Sequence, residues 1–182
     1  MLAKIYSFGL QGIDGYSVSV EIDINNGLPG TEIVGLPNTA TKESKERVRS
    51  ALKNSGFRLT PKRITVNLAP ADTKKEGSYY DLPIALGMLY ATEQLASDKL
   101  FDTIFVGELS LNGELNRLNG ILPMLIAAKE AGWKRIVIPK ANEREASYVD
   151  GISVFAFSSL SETVAYLSGK SEAKPIAVND VY

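Results

Sequence analysis

The sequence predicts an α/β protein in which a mixed β-sheet is covered by helices, and three observations support this fold class. Residues 16–24 alternate apolar and polar side chains, which is the period of a strand with one buried face. Residues 103–167 alternate strand-like and helix-like segments, an order typical of helices packed on a sheet. With 182 residues, 45% of them hydrophobic, the chain is long enough to bury one substantial core.

Turn residues and helix stops separate the predicted elements of the first half. Asn26-Gly27 and Pro29-Gly30 mark a turn, and Gly56 marks the end of a helix. The predicted elements are a strand over 16–24, a strand over 31–36, a helix capped by Thr39 or Thr41 and running to Ser55, a strand over 63–68, and a polar loop over 69–80.

The second half begins with a helix that is apolar on nearly all sides, so we expect it to lie deep in the core. Asp81 is its predicted N-cap and Glu93 its approximate end. Asn112-Gly113 is a strong hairpin signal between two short strands. The remaining predictions are strands over 103–106, 135–138 and 153–157, helices over 122–131, 142–147 and 161–167, and an aperiodic linker over 170–182.

Composition excludes several classes of site. The chain has no cysteine and no histidine, so it cannot form disulfides, cysteine or histidine metal sites, or a Ser-His-Asp triad. We predict no metal ligands within it. The first ten residues do not resemble a signal peptide, and no apolar run is long enough to span a membrane. A cytoplasmic protein without a membrane partner is the simplest interpretation.

Positive charge is concentrated in one part of the chain. Residues 42–63 hold eight basic and two acidic residues, a local net charge of +6, whereas the whole chain carries −1. Four of the cations share one edge of the predicted helix. This pattern suggests phosphate contacts with DNA, an interface with a neighbouring subunit, or a solvated surface. The candidate nucleic-acid-binding residues are Lys42, Lys45, Arg49, Lys53, Arg58, Lys62 and Arg63.

Two stretches carry a family resemblance. GLPGTEIVGLP (27–37), KESKERVRSALKNSGF (42–57), RITVNLAPAD (63–72) and KEGSYYDLPIALG (75–87) resemble the N-terminal domain of magnesium-chelatase-like AAA+ proteins of the ComM/YifB type. Residues 106–143, VGELSLNGELNRLNGILPMLIAAKEAGWKRIVIPKANE, resemble the same family, the proteolytic domain of Lon proteases and the C-terminal domain of RadA recombination proteins.

The resemblance implies a ribosomal-protein-S5-domain-2-like, Lon-protease-like fold over residues 1–169, with 170–182 leading to an ATPase module. It implies a parent protein that binds ATP and magnesium in that module, forms a homo-oligomeric ring and acts on DNA in branch migration and natural competence. The expected function is therefore that of a non-catalytic domain that assists ring assembly and DNA engagement. A Lon-type peptidase and a magnesium chelatase subunit acting in metal insertion are the alternatives.

The resemblance to Lon proteases also allows a test for a Ser-Lys dyad. In the Lon pattern the serine lies four residues after the lysine of a Lys-Asp-Gly stretch, and Tyr79 stands at that spacing from Lys75. Ser78 lies one place earlier. Leu122 stands where the lysine base is expected, and an aliphatic side chain cannot accept a proton. We therefore predict no catalytic residues in this chain.

A phosphate-binding motif of the Walker type is also incomplete. Gly169-Lys170-Ser171 is the one Gly-Lys-Ser, and Val164 stands where the first glycine should be. The polar loop before the buried helix remains a candidate for coupling to the ATPase or for oligomer contacts, the alternative being a solvated connector. Its candidate residues are Lys74, Lys75, Glu76, Ser78 and Asp81.

Overall fold

The computed structural model describes residues 2–70, 75 and 78–179. Within them the strands are β1 (Leu2–Gln11), β2 (Asp14–Asn25), β3 (Gly30–Val34), β4 (Arg63–Ala69), β5 (Ile104–Phe105), β6 (Glu108–Leu109), β7 (Leu115–Asn116), β8 (Arg135–Pro139) and β9 (Ser153–Phe157). The α-helices are α1 (Asn38–Asn54), α2 (Asp81–Ala91), α3 (Ile121–Glu130), α4 (Glu143–Ala146) and α5 (Leu160–Leu167), and short 3-10 helices span Asp98–Phe101 and Lys140–Asn142.

Seven strands form one mixed sheet in the order β3-β4-β2-β1-β5-β8-β9. Strand β2 is antiparallel to both of its neighbours, β1 and β4, while the other adjacent pairs are parallel. Six strands therefore run in one direction and β2 runs against them. The β6 and β7 strands form the separate hairpin predicted at Asn112-Gly113. The predicted fold class, a mixed sheet covered by helices, is confirmed.

Strand β1 is the main element that sequence analysis did not predict. It pairs with β2 from Leu2–Asp23 to Gln11–Asp14 and meets β5 at Tyr6–Ile104, so it lies in the middle of the sheet. Helices cover both faces of a central strand, so apolar residues point both ways and the period-two signal is lost. Phe8 and Ile5 are accordingly buried on different sides, each in its own core.

Two cores lie on opposite faces of the sheet. Buried residues of α1, α2 and α5 belong to the larger core, and those of α3 and α4 belong to the smaller one. Helix α2 is buried at nine of its eleven positions, which confirms that it lies deep in the core.

The predicted caps of α1 are wrong. The helix begins at Asn38 after Pro37, and neither Thr39 nor Thr41 caps it. The Thr41 hydroxyl instead lies 3.5 Å from the Leu36 carbonyl. Pro37 has φ −57° and ψ 150°, so it lies just outside the helix, where its missing N–H is tolerated, and the helix begins before either threonine could act as the cap.

The predicted N-cap of α2 is also wrong. Asp81 is the first residue of the helix, follows Tyr80 and makes no capping hydrogen bond. Its carboxylate turns toward α1, where stronger charged partners are available. The helix ends at Ala91, two residues before the predicted end, and Glu93 has a φ of 62°, which a continuing helix cannot accommodate.

The segment after α5 contacts both cores: Ala173 packs against the larger one, and residues 176–179 follow the smaller one. The Ile176 amide donates to the Val154 carbonyl at 2.8 Å, and the Asn179 amide donates to the Ser147 carbonyl at 2.7 Å. The Ile176 side chain packs against the core beneath it. In residues 2–70, 75 and 78–179, no helix has the length and apolar character needed to cross a bilayer.

Candidate functional site

A groove with a volume of about 620 Å³ opens on the face of the sheet covered by α1 and α2. Helix α1, the segment 58–62, the start of β3 and the second half of α2 surround it. Its interior is aliphatic and includes the buried side chains of Ile33, Leu52 and Ile64. Helix α1 packs toward this core through small and apolar residues, Ser44, Val48, Ala51 and Leu52.

Five of the seven basic residues predicted from the sequence line this groove. Across the described ranges none of these five side chains forms an ion pair. Glu46 is the one acidic residue among the described lining residues. The five cations are Lys42, Lys45 and Arg49 from α1 and Arg58 and Lys62 from the segment that follows.

The other two predicted cations lie outside the groove. Lys53 is exposed on the last turn of α1 and does not line the cavity. Arg63 forms an ion pair with Glu32, with 2.7 Å between Nη2 and the carboxylate oxygen. Of the seven predicted cations, five therefore line one groove and two lie elsewhere.

A buried ion pair fixes α1 against α2. The Arg47 Nε donates to Asp81 Oδ2 at 2.6 Å and its Nη2 donates to Asp81 Oδ1 at 3.2 Å. The Ser44 hydroxyl donates to the same carboxylate at 2.7 Å, and the Leu109 amide donates to it at 3.1 Å. Asp81 therefore connects α1, α2 and the β6–β7 hairpin, and this fixes the wall of the groove.

Burial and the ion pair itself shift the pKa values of Asp81 and Arg47. Burial raises the pKa of Asp81 above the ordinary value of a carboxyl, while the hydrogen bonds from Arg47 and Ser44 act in the opposite direction. The hydrogen bond to Asp81 raises the pKa of Arg47, which stays charged. The pair is an anchor in which the Asp81 carboxylate is buried and the Arg47 side chain is 22% exposed, and Asp81 does not line the groove.

The candidate loop is only partly described. Lys74 and Glu76 lie outside the described residues, so their predicted roles remain predictions. Lys75 is buried and its ammonium group donates to the Pro70 carbonyl. The Ser78 hydroxyl donates to the Glu108 carboxylate. The same carboxylate also accepts a hydrogen bond from the side-chain amide of Asn116 at 2.9 Å.

The two positions matched to the Lon dyad hold side chains with other contacts. The Tyr79 hydroxyl donates to the Asn119 carbonyl at 2.9 Å. Leu122 lies on α3 with 36% of its surface exposed. The Lys75 ammonium and the Ser78 hydroxyl, the nearest lysine and serine in sequence, have the separate partners given above.

The Gly-Lys-Ser sequence lies at the C-terminal end of α5. The Lys170 and Ser171 amides both donate to the Ala165 carbonyl, at 2.9 and 3.2 Å. A phosphate cradle needs free amides at the N-terminal end of a helix, where the helix dipole is positive. These amides instead satisfy the last turn of a helix, at its negative end.

Sequence reasoning missed the residues that shape the groove around its cations. Gln94 accepts a hydrogen bond from the Arg58 amide at 2.9 Å and donates to the Arg58 carbonyl at 3.0 Å. Leu59 reaches the groove with 37% of its surface exposed. Contacts between residues 36 positions apart leave no periodic signal in the sequence, so only the fold reveals them.

Comparison with known proteins identifies the family. A family model described as ChlI, subunit ChlI of Mg-chelatase, matches residues 20–142, which include most of the groove and the whole Asp81 network. The chain belongs to this family. The ChlI match agrees with the family resemblance read from the sequence, and the mixed α/β architecture is consistent with the domain fold shared by ChlI and Lon proteins.

Individual relatives extend the family match. Competence protein ComM of Haemophilus influenzae is 42% identical over 180 residues, which are 99% of this chain and 35% of the relative. The uncharacterized protein YifB of Escherichia coli is 41% identical over 169 residues, 93% of this chain and 33% of the relative. Lon protease 2 of Bacillus subtilis is 27% identical over 140 residues, 75% of this chain and 25% of the relative.

The chain thus spans about a third of the length of the ComM and YifB relatives that it matches. The shared region is the whole folded domain, from β1 to the segment after α5.

Proposed function

We propose that this chain is a non-catalytic N-terminal domain of a magnesium-chelatase-like AAA+ ATPase, and that it engages DNA through its basic groove. The observation that carries the proposal is the groove itself. Five cations without ion-pair partners in the described chain converge there, around a single acidic residue. Such an arrangement attracts a polyanion, because bound phosphates release condensed counterions.

The rest of the protein enters the proposal through the family. In ComM and YifB, about two thirds of the length lies outside the matched region. We propose that this part contains the ATPase module, that ATP and magnesium bind there, and that the protein works as a ring. The name of competence protein ComM associates that relative with competence, and we extend this role to the present protein.

The similarity to Lon protease suggests peptidase activity as the competing function. Two features favour a non-catalytic domain instead. Leu122 stands at the position of the base, and Tyr79, whose hydroxyl donates to a backbone carbonyl, stands at the position of the nucleophile. Leucine cannot accept a proton, and the tyrosine stands where the dyad has its serine nucleophile. We therefore expect no cleavage of casein or peptide substrates by the purified chain. Turnover that survives repurification would support the peptidase.

The DNA-binding proposal is tested by reversing charge on α1. In the full-length protein, Lys42, Lys45 and Arg49 are changed together to Glu, and binding to labelled DNA is followed by fluorescence anisotropy over a salt titration. We expect the triple variant to lose salt-sensitive binding, since each reversal replaces a phosphate-attracting charge with a repelling one.

The matched control reverses three exposed cations that do not line the groove, Lys129, Lys134 and Lys140, to Glu. This control changes net charge equally but leaves the groove intact. It should retain most of the affinity at low salt. Equal affinity of the wild type and the groove variant at low salt would overturn the proposal.

A further inference from the structure

We infer that the basic groove takes one unpaired DNA strand, lying between its cationic sides, and does not take a duplex. This inference rests on the proposed function and adds the class of nucleic acid and the contacting residues.

The cations border the cavity from two separate segments of the chain. Lys45 and Arg49 come from α1, whereas Arg58 and Lys62 come from the connection between α1 and β4. Cations on two sides of a concave site can contact phosphates of a strand that lies inside it. A duplex presents its phosphates on a convex surface, so it would reach the rim while leaving the interior empty.

The interior suits the uncharged parts of a flexible strand. Leu59, Met88 and Ile33 offer aliphatic surface, and no Phe, Tyr or Trp occurs among the described residues that line the groove. Sugars and base edges can pack on aliphatic groups, whereas stacking of bases requires aromatic rings. Binding should therefore depend on the phosphate backbone and show little preference for base identity.

Hydrogen bonds hold both sides of the groove in place. The two bonds between Gln94 and the Arg58 backbone fix the outer segment to the end of α2. The Arg47–Asp81 pair fixes α1 to the start of the same helix. The cations thus project from a rigid frame, which reduces the entropy lost when a strand binds.

The location of Lys53 provides a matched control. Lys53 lies on α1, one turn beyond Arg49, is exposed, and does not line the groove. If the groove is the binding site, neutralising Arg49 and neutralising Lys53 will have different effects. If only general surface charge matters, the two changes will have similar effects.

The experiment measures binding by the full-length protein to three probes of equal phosphate number. These are an oligo-dT strand, a strand of abasic sites, and a blunt duplex. The protein is the wild type or carries Arg49→Gln, Arg58→Gln/Lys62→Gln, or Lys53→Gln. Circular dichroism and urea unfolding confirm that each variant is folded.

We expect oligo-dT and the abasic strand to bind alike and more tightly than the duplex. Arg58→Gln/Lys62→Gln should weaken strand binding by about tenfold, and each lost groove cation should reduce the slope of log K against log salt by about 0.7. Lys53→Gln should match the wild type.

Four outcomes would overturn the inference, the last of them together with the proposed function. A duplex that binds as tightly as the single strand would contradict the choice of substrate, while the proposed function would stand. Equal effects of Lys53→Gln and Arg49→Gln would remove the groove as the site and leave DNA binding to general charge. Displacement of the strand by poly-glutamate of equal charge, at equal concentration, would indicate an acidic protein segment as the ligand. Absence of DNA binding altogether would overturn the proposed function itself.

Discussion

Asp81 shows how a single buried carboxylate can organise three elements. Its side chain is 1% exposed and accepts hydrogen bonds from Ser44, Arg47 and the Leu109 amide. A buried charge is tolerated when it is paired and its oxygens are satisfied, as they are here. The position of α1, and with it the basic groove, therefore depends on a residue that does not line the groove.

Replacing Arg47 by Gln tests this anchor. The change leaves the Asp81 carboxylate buried without its cation, so we expect the free energy of unfolding at pH 7 to fall by about 3 kcal/mol. Urea unfolding followed by circular dichroism measures the loss. Arg49→Gln, on the same helix but exposed, is the control and should change stability by about 0.5 kcal/mol or less.

The stability of the Arg47→Gln variant should also depend on pH. Burial raises the pKa of Asp81, and removing the Arg47 hydrogen bonds, which lower it, raises it further. A carboxyl whose pKa is higher in the folded than in the unfolded state stabilises the fold when protonated, and this contribution is lost as the pH rises through the folded pKa. The deficit relative to wild type should therefore shrink between pH 7 and pH 5. A deficit that grows toward pH 5 would contradict this account.

At the scale of elements, the close approach of α2 to the sheet depends on a glycine. A Cβ built on Gly87 would lie 2.2 Å from Ile22 Cδ1 and 3.2 Å from its Cγ1. Helix α2 packs on both β1 and β2 at this point. Glycine costs helix stability, but here it allows a backbone contact that any side chain would obstruct.

We expect Gly87→Ala to destabilise the protein by about 1–2 kcal/mol, because the overpacking outweighs the gain in helix propensity. The variant Ile22→Val removes the Cδ1 atom that the new methyl group would meet. Combined with Gly87→Ala, it should recover part of the loss in a double-mutant cycle of urea unfolding. Strictly additive effects of the two substitutions would show that this contact is not the cause.

At the scale of the whole molecule, the two faces of the sheet carry different features. The basic groove lies on the face covered by α1 and α2, whereas the segment 176–179 follows the smaller core and the edge strand β9. An edge strand exposes unpaired backbone groups, and the Ile176 amide satisfies one of them at Val154. The segment thus protects one end of the sheet.

Ile176→Ser tests whether this covering contributes to stability. Ile176 is half-buried against the smaller core, so the substitution should lower the free energy of unfolding by about 1–2 kcal/mol. Val178→Ser, in the same segment but 39% exposed, is the matched control and should have little effect. Equal losses in the two variants would mean that the Ile176 contact has no special role.

The sequence predicted most elements because their signals are local. The alternation of β2, the Asn112-Gly113 hairpin and the all-round apolar character of α2 depend on neighbours along the chain. The sequence did not predict β1, because a strand buried on both faces has no period of two. It also misassigned Asp81 as a cap, because local spacing does not reveal a partner 34 residues away.

The candidate site divides in the same way. The number and clustering of cations are properties of the sequence, and they left DNA contact, a subunit interface and a solvated surface as alternatives. Which of them act together was decided by the tertiary structure, which gathers five at the groove, leaves Lys53 outside it and pairs Arg63 with Glu32. Charge and periodicity are local and additive along a chain, whereas a groove and its buried anchor arise only when distant segments pack together.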